Sequence, residues 1–336
     1  MLEPPADLAF EQLAATLTTD YGLAITRLTF LPLGHDSAAW VYRATATDGD
    51  WFVKVRKAVT NEAALIVPHY LADAGVEQVV APRTTVRGAL WALAGSYAVV
   101  VYPFISERTG WLHGMSDGQW VEYGATLRAI HDTSGSRELR DVMRVESFRP
   151  DGAASVQQLD ELIGERTFEE FGPAAIAAFW RTRRSTITLL LERGVELGQR
   201  LEATNPQLVL CHADIHTNNV LVTGDEHIWI ADWDETILAP RERDLMFVIG
   251  GIGPSWVTGP QERLFFDGYG TVKVDQVALA FYRYAWALSD IGSYGEQVFL
   301  RPDLGVLDRQ QAVTRFQGLF GAGSIVDIAL GSPIGG

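Results

Sequence analysis

Near residue 105 the apolar pattern of this chain changes period, and few folds accommodate that change. Before it, β-branched and aromatic residues cluster in short runs: Trp40-Val41-Tyr42-Arg43-Ala44, Trp51-Phe52-Val53-Lys54-Val55, Leu90 to Leu93 and Tyr97 to Phe104. Runs of this composition and length read as strands. Asp48-Gly49 and Gly95-Ser96 supply turn residues that fold one run back on the next. Between these runs, Glu62 to Ala74 breaks the extended pattern, because Ala63, Ile66, Val67 and Tyr70 recur at helical spacing and Gly75 closes the segment.

Beyond residue 105 helical spacing dominates. Ser116 and Gln119 form a capping-box signature ahead of a helix from Trp120 to His131, and a long helical pattern runs from Ala174 to Leu201. Three short apolar runs follow, Leu208 to Leu210, Val220 to Val222 and Ile228 to Ala231, and read as buried strands flanking polar loops. Helix resumes over Leu245 to Ile249 and Val274 to Ile291. The pattern predicts an α+β protein of two lobes: residues 1–105, a small antiparallel sheet with one main helix, and residues 106–336, largely helical with a small strand insert. No repeat at solenoid periods and no low-complexity tract argue for another organisation.

Composition narrows the partners. A formal net charge of −15 repels nucleic acid and anionic membranes, and favours a cationic small molecule. The single cysteine, Cys211, has no thiol to pair with inside the chain, which suits a reducing, cytoplasmic setting. No stretch approaches the ~20 apolar residues of a membrane span, and the N-terminus lacks the basic start and apolar run of a signal peptide.

The chemistry concentrates in one polar loop, His212-Ala213-Asp214-Ile215-His216-Thr217-Asn218-Asn219. Eighteen residues past Asp214, the last apolar run ends in Asp232-Trp233-Asp234. An Asp with an Asn five residues later matches the kinase catalytic loop, where the carboxylate accepts the proton of the attacking hydroxyl and the amide oxygen holds magnesium. Phosphoryl transfer needs oxygen donors for a hard cation, and Asn219 and Asp232 provide them. Upstream, Phe52-Val53-Lys54-Val55 places a lysine within an apolar strand, as in the kinase strand whose lysine binds the nucleotide phosphates, with a solvent-facing strand lysine as the alternative. Glu62, at the start of the next helix, is the candidate partner for Lys54. Val101-Tyr102-Pro103-Phe104-Ile105, where the extended region stops, is the candidate hinge against which adenine would lie.

Taken together, LCHADIHTNNVLV and IWIADWDETILAPRERDLMFVIGGIG resemble the aminoglycoside phosphotransferase family, and most its spectinomycin-modifying branch. The resemblance implies a bilobal protein-kinase-like fold, ATP with Mg²⁺ as cofactors, and a hydroxyl of an aminocyclitol or aminoglycoside antibiotic as acceptor. It makes Asp214 the catalytic base, Asn219 and Asp232 the metal ligands and Lys54 the phosphate anchor. There is no GxGxxG, so the phosphate loop, with Asp36 and Ser37, is assigned by position alone.

Other readings remain open at this stage. Asp234 and Glu235 are candidates for a substrate ammonium, and Trp256, Tyr282, Tyr284 and Trp286 for an aromatic wall, with core packing as the alternative. Asp244 reads as a helix cap ahead of Leu245-Met246-Phe247. Other acceptors of the same chemistry are choline, homoserine and amino sugars. From other classes come a zinc hydrolase using His212, Asp214 and His216, and a nucleotide-binding module without catalysis.

Overall fold

The structure, a computed structural model, describes residues 3–32, 39–59, 61–133, 137–224, 226–252, 257–301 and 305–334. It divides into two compact units, residues 1–144 with 212–237, and residues 145–211 with 238–336.

The first unit opens with helix α1 (Phe10–Tyr21), absent from the sequence reading, and continues through strands β1 (Ile25–Leu31), β2 (Ala39–Ala46) and β3 (Gly49–Arg56). Helix α2 (Ala63–Asp73), strands β4 (Ala92–Ala94) and β5 (Tyr97–Pro103), and helices α3 (Gly110–His113), α4 (Asp117–Asp132) and α5 (Arg137–Val142) follow. The five strands form one antiparallel sheet in the order β1-β2-β3-β5-β4. Leu13, Leu17 and Tyr21 recur every four residues, so α1 presents one apolar stripe, which packs with Tyr42, Val53, Val55, Val99 and Val101. The Tyr21 hydroxyl donates to the Val99 carbonyl at 2.7 Å, and α1 ends where Gly22 turns left-handed at φ 68°.

Successive strand side chains point to opposite faces. With Val53 and Val55 committed to the core under α1, Lys54 and Arg56 must lie on the other face of β3. Directly opposite on β5, Val100 faces Lys54 and Tyr102 faces Phe52, so Tyr102 shares that face.

The chain then enters the second unit with α6 (Ala153–Glu165), the 34-residue α7 (Phe171–Thr204) and strand β6 (Val209–Cys211). It returns to the first unit for the β7 (Val220–Val222) and β8 (Ile228–Ile230) hairpin. The remainder comprises β9 (Ile237–Ala239), which pairs with β6, and helices α8 (Glu242–Leu245), α9 (Gly259–Tyr269), α10 (Gln276–Phe299), α11 (Val306–Gly318) and α12 (Ile325–Gly331). Helix α10 is buried nearly all round and packs against α6, α7, α11 and α12. Asp275 starts it by accepting from the Val277 and Ala278 amides.

Two expectations shift here. Helix was expected over Leu245 to Ile249, but it begins at Glu242 and stops at Leu245, continuing only as tight turns such as Phe247 N–H to the Asp244 carbonyl. Left-handed Gly250 and Gly251 then end any helical path. Asp244 is consequently inside this short helix and fully buried, while Arg241 occupies the cap position. Among the described residues, no helix is long and apolar enough to cross a membrane.

Candidate active site

One face of α4 organises the polar loop. The capping box expected at Ser116 and Gln119 is present, and the Gln119 amide also donates to the Thr223 and His227 carbonyls. One turn on, the Glu122 carboxylate accepts from the Ile228 amide at 2.9 Å, and the Tyr123 hydroxyl donates to the Ile215 carbonyl. Residues three and four apart share a helix face, so a single stripe holds both the β7–β8 hairpin and the loop before it.

Ala213 in the loop, at φ 69°, and Asp232 just past β8, at φ 63°, are both left-handed, a region costly for residues other than glycine and, to a lesser degree, Asn and Asp. Such strain persists where surrounding contacts over-determine it. His212 supplies those contacts: fully buried, it places Nε2 3.0 Å from the Ala231 carbonyl and accepts the Asp214 amide on Nδ1 at 3.3 Å, with its ring against Trp233. Both ring nitrogens are thereby engaged, which removes His212 from the ligand set of the zinc reading.

The Asn219 amide donates to the Asp214 carbonyl at 2.8 Å and to Asp214 Oδ2 at 3.0 Å, while the Asn219 carbonyl accepts from the Ala231 amide at 3.0 Å. With its NH₂ turned to Asp214, Asn219 keeps its side-chain oxygen for another partner. Asp232, with a half-exposed side chain, offers a second hard oxygen donor. These two suit magnesium, which takes oxygen ligands, better than zinc. Burial pushes the Asp214 carboxyl up; His216 and His212 pull it back, Asp232 pushes it further, and the Asn219 bond opposes it.

Lys54 reaches the same cluster. Its ammonium lies 3.2 Å from Asp232 Oδ1 and 2.8 Å from Asp234 Oδ2. Arg56 also pairs with Asp234 Oδ2, and the Asn61 amide donates to the Asp234 carbonyl at 2.9 Å. Burial tends to raise the Asp234 carboxyl, yet Lys54 and Arg56 outweigh it and hold it below the usual carboxylate range.

The structure thus brings Lys54, Asp214, Asn219 and Asp232 into one unit and relocates several other candidates. Lys54 meets Asp232 and Asp234 in place of Glu62, which sits at the N-cap of α2. Asp234, expected to face a substrate ammonium, faces the protein's own cations because β3 carries two of them on one face. Glu235 pairs with Arg144 at 3.0 Å. Tyr282 is a core residue of α10, 1% exposed and packed on Phe281, with the Arg243 guanidinium 5.6 Å over its ring. Tyr284 is equally buried.

In the hinge segment, β5 runs through Tyr102 and Pro103 as an inner strand between β3 and β4. Burial, then the Asp234 and Asp232 charges, push the Tyr102 hydroxyl up, consistent with its place on the Lys54 face. Phe104 follows, its amide donating to Asp50 and its ring covered by the Arg43 guanidinium at 4.2 Å, and Ile105 is half-buried. Asp36, Ser37 and Trp256 lie outside the described residues.

Sequence reading missed Arg56, Asn61 and Tyr123. Two-residue alternation places Arg56 beside Lys54 and was available; nothing local marks Asn61 or Tyr123.

The model of the phosphotransferase enzyme family matches residues 29–282. The chain belongs to that family. Among solved structures it resembles a spectinomycin phosphotransferase, APH(9)-Ia, in complex with ADP and spectinomycin, at 30% identity and TM-score 0.89, covering 98% of this chain and 99% of the other. The AMP-bound complex of the same enzyme matches at 30% identity and TM-score 0.83, covering 96% and 98%. A choline kinase from Streptococcus pneumoniae shares the fold at 16% identity and TM-score 0.56, covering 91% and 98%. No curated protein sequence matches. This phosphotransferase is a small-molecule kinase acting on a hydroxyl group, of the kinase-like α+β fold.

Proposed function

We propose that this phosphotransferase transfers the γ-phosphoryl group of ATP, with magnesium, to a hydroxyl of an aminocyclitol antibiotic of the spectinomycin type. The observation that carries the reading is the nearly end-to-end likeness to an enzyme bound to ADP and spectinomycin. The acidic balance of the chain supports a cationic acceptor.

In this reading Asp214 accepts the hydroxyl proton while the acceptor oxygen bonds to phosphorus and the bond to the ADP oxygen breaks. Its burial raises its basicity toward what a general base needs, and the Asn219 amide fixes its orientation. Asn219 through its free oxygen and Asp232 would hold magnesium, which supplies charge neutralisation for the phosphates when bound. Lys54 takes the nucleotide phosphates, and Tyr102 to Ile105 border the adenine. Residues 1–105 act as the nucleotide-binding part; residues 106–336 carry the catalytic loop and the acceptor contacts. Dependence on ATP suits action in the cytoplasm, where phosphorylation would protect a host from the drug.

The test is direct: incubate the protein with Mg-ATP and spectinomycin, other aminocyclitols, aminoglycosides, choline or homoserine, and seek phosphorylated product by mass spectrometry. Product from spectinomycin supports the proposal. Choline phosphorylated while every aminocyclitol stays unchanged overturns the acceptor, and nucleotide binding with no acceptor turned over overturns the activity.

A further inference from the structure

The kinase plan gives the phosphate-binding lysine a carboxylate partner on the helix that follows its strand, here Glu62. The structure places a different carboxylate on that lysine. Asp234 Oδ2 lies 2.8 Å from Lys54 Nζ and pairs at the same time with Arg56. The two cations sit two residues apart on one face of β3, about 7 Å along the strand, and their side chains are only 16% and 19% exposed. Poorly solvated like charges at that distance repel, and each long side chain has many rotamers to adopt. One carboxylate between them removes the repulsion and selects the rotamers. Asp234 is itself held, because the Asn61 amide donates to its backbone carbonyl and the carboxylate is two-thirds covered.

We infer that Asp234 is a positioning residue: acting through Lys54, and with Arg56 as second anchor, it keeps the lysine ammonium aimed at the nucleotide phosphates in place of the helix glutamate. This rests on the reading of Lys54 as the phosphate anchor. Asp232 also touches Lys54, but at 3.2 Å and half-exposed, which leaves it able to serve a metal.

The experiment is a double-mutant cycle read by ADP affinity, measured calorimetrically with magnesium chelated so that metal binding does not enter. Asp234→Asn is expected to weaken ADP binding about tenfold, the scale of one charge-assisted hydrogen bond, and to do so far less in a Lys54→Ala background. Asp234→Glu, which keeps the charge, is expected to restore most of the affinity, and it also reports if Asp234→Asn fails to fold. Under turnover, Asp234→Asn should raise the KM for ATP and leave the KM for the acceptor unchanged. Unchanged or tighter ADP binding in Asp234→Asn overturns the inference, as does an equal loss with and without Lys54. A loss produced by Glu62→Gln and not by Asp234→Asn also overturns it, returning the role to the helix. Failure of the wild-type protein to bind ADP would instead count against the nucleotide reading itself.

Discussion

At the scale of single residues, the site depends on where each polar atom is spent. Asn219 is the clearest case: its amide nitrogen is used on Asp214, so its oxygen is what remains for a cation. Replacing Asp214 with Asn keeps the shape and removes the proton acceptor. We expect kcat to fall by roughly 10²–10⁴-fold with ADP affinity nearly unchanged; wild-type turnover would remove Asp214 from the mechanism. A second carboxylate shows the same bookkeeping away from the chemistry. Burial favours protonation of Asp160, but Arg184 at 2.8 Å and the Trp180 indole N–H at 2.8 Å win, and its folded-state pKa is lowered. A lowered folded pKa stabilises above the unfolded value of ~3.9 and loses that contribution as pH falls through the folded one. Asp160→Asn should therefore cost about 1 kcal/mol at neutral pH, since Arg184 is half-exposed. Denaturation curves of the two proteins should start to approach one another as pH falls below about 4 and meet only below the folded-state pKa of Asp160.

At the scale of elements, packing explains residues that pattern alone leaves ambiguous. Tyr282 and Tyr284 carry polar tips yet are core residues, because α10 has neighbours on nearly every side. Gly198 in the middle of α7 is there for close approach: a Cβ would stand 2.0 Å from the Phe148 carbonyl oxygen, and Phe148 is itself left-handed at φ 54°. Backbone cannot yield as a side-chain end can. Gly198→Ala should lower stability by about 1–3 kcal/mol despite alanine's better helix propensity, and an unchanged melting temperature would show that the loop at Phe148 gives way freely. About half of the elements, β2 to β8 with α2, α4, α7 and α10, were legible from period and punctuation, whereas short or peripheral ones such as α3, α5, α6, β9, α9, α11 and α12 were not. The capping box ahead of α4 and the strands β2, β3 and β7 lie where the pattern put them, within one or two residues. Helix α1 was missed because its stripe of Leu13, Leu17 and Tyr21 is sparse and interrupted by threonines, so its helicity comes from packing on the sheet.

At the scale of the whole molecule, residues 212–237 group with residues 1–144, although some seventy residues intervene in the chain. Lys54 and the loop of Asp214 and Asn219 consequently belong to one compact unit. Ligand binding to that unit should stabilise it: ADP at about a hundred times its Kd adds about 2.7 kcal/mol to the free energy of unfolding. A thermal melt with and without ADP would register the shift, and its absence at saturating nucleotide would contradict the site. The contact between Asp214 and Asn219 was readable without a structure, because they lie five residues apart and a tight loop brings them together whatever surrounds it. The identity of the lysine's partner was not. Glu62 is near Lys54 in sequence and Asp234 is 180 residues away, yet the shared face of β3 and the strand end after β8 meet in space. An ion pair forms by distance through space, which local sequence does not encode, so the amino-acid order named the chemistry and only the fold chose which carboxylate holds the lysine.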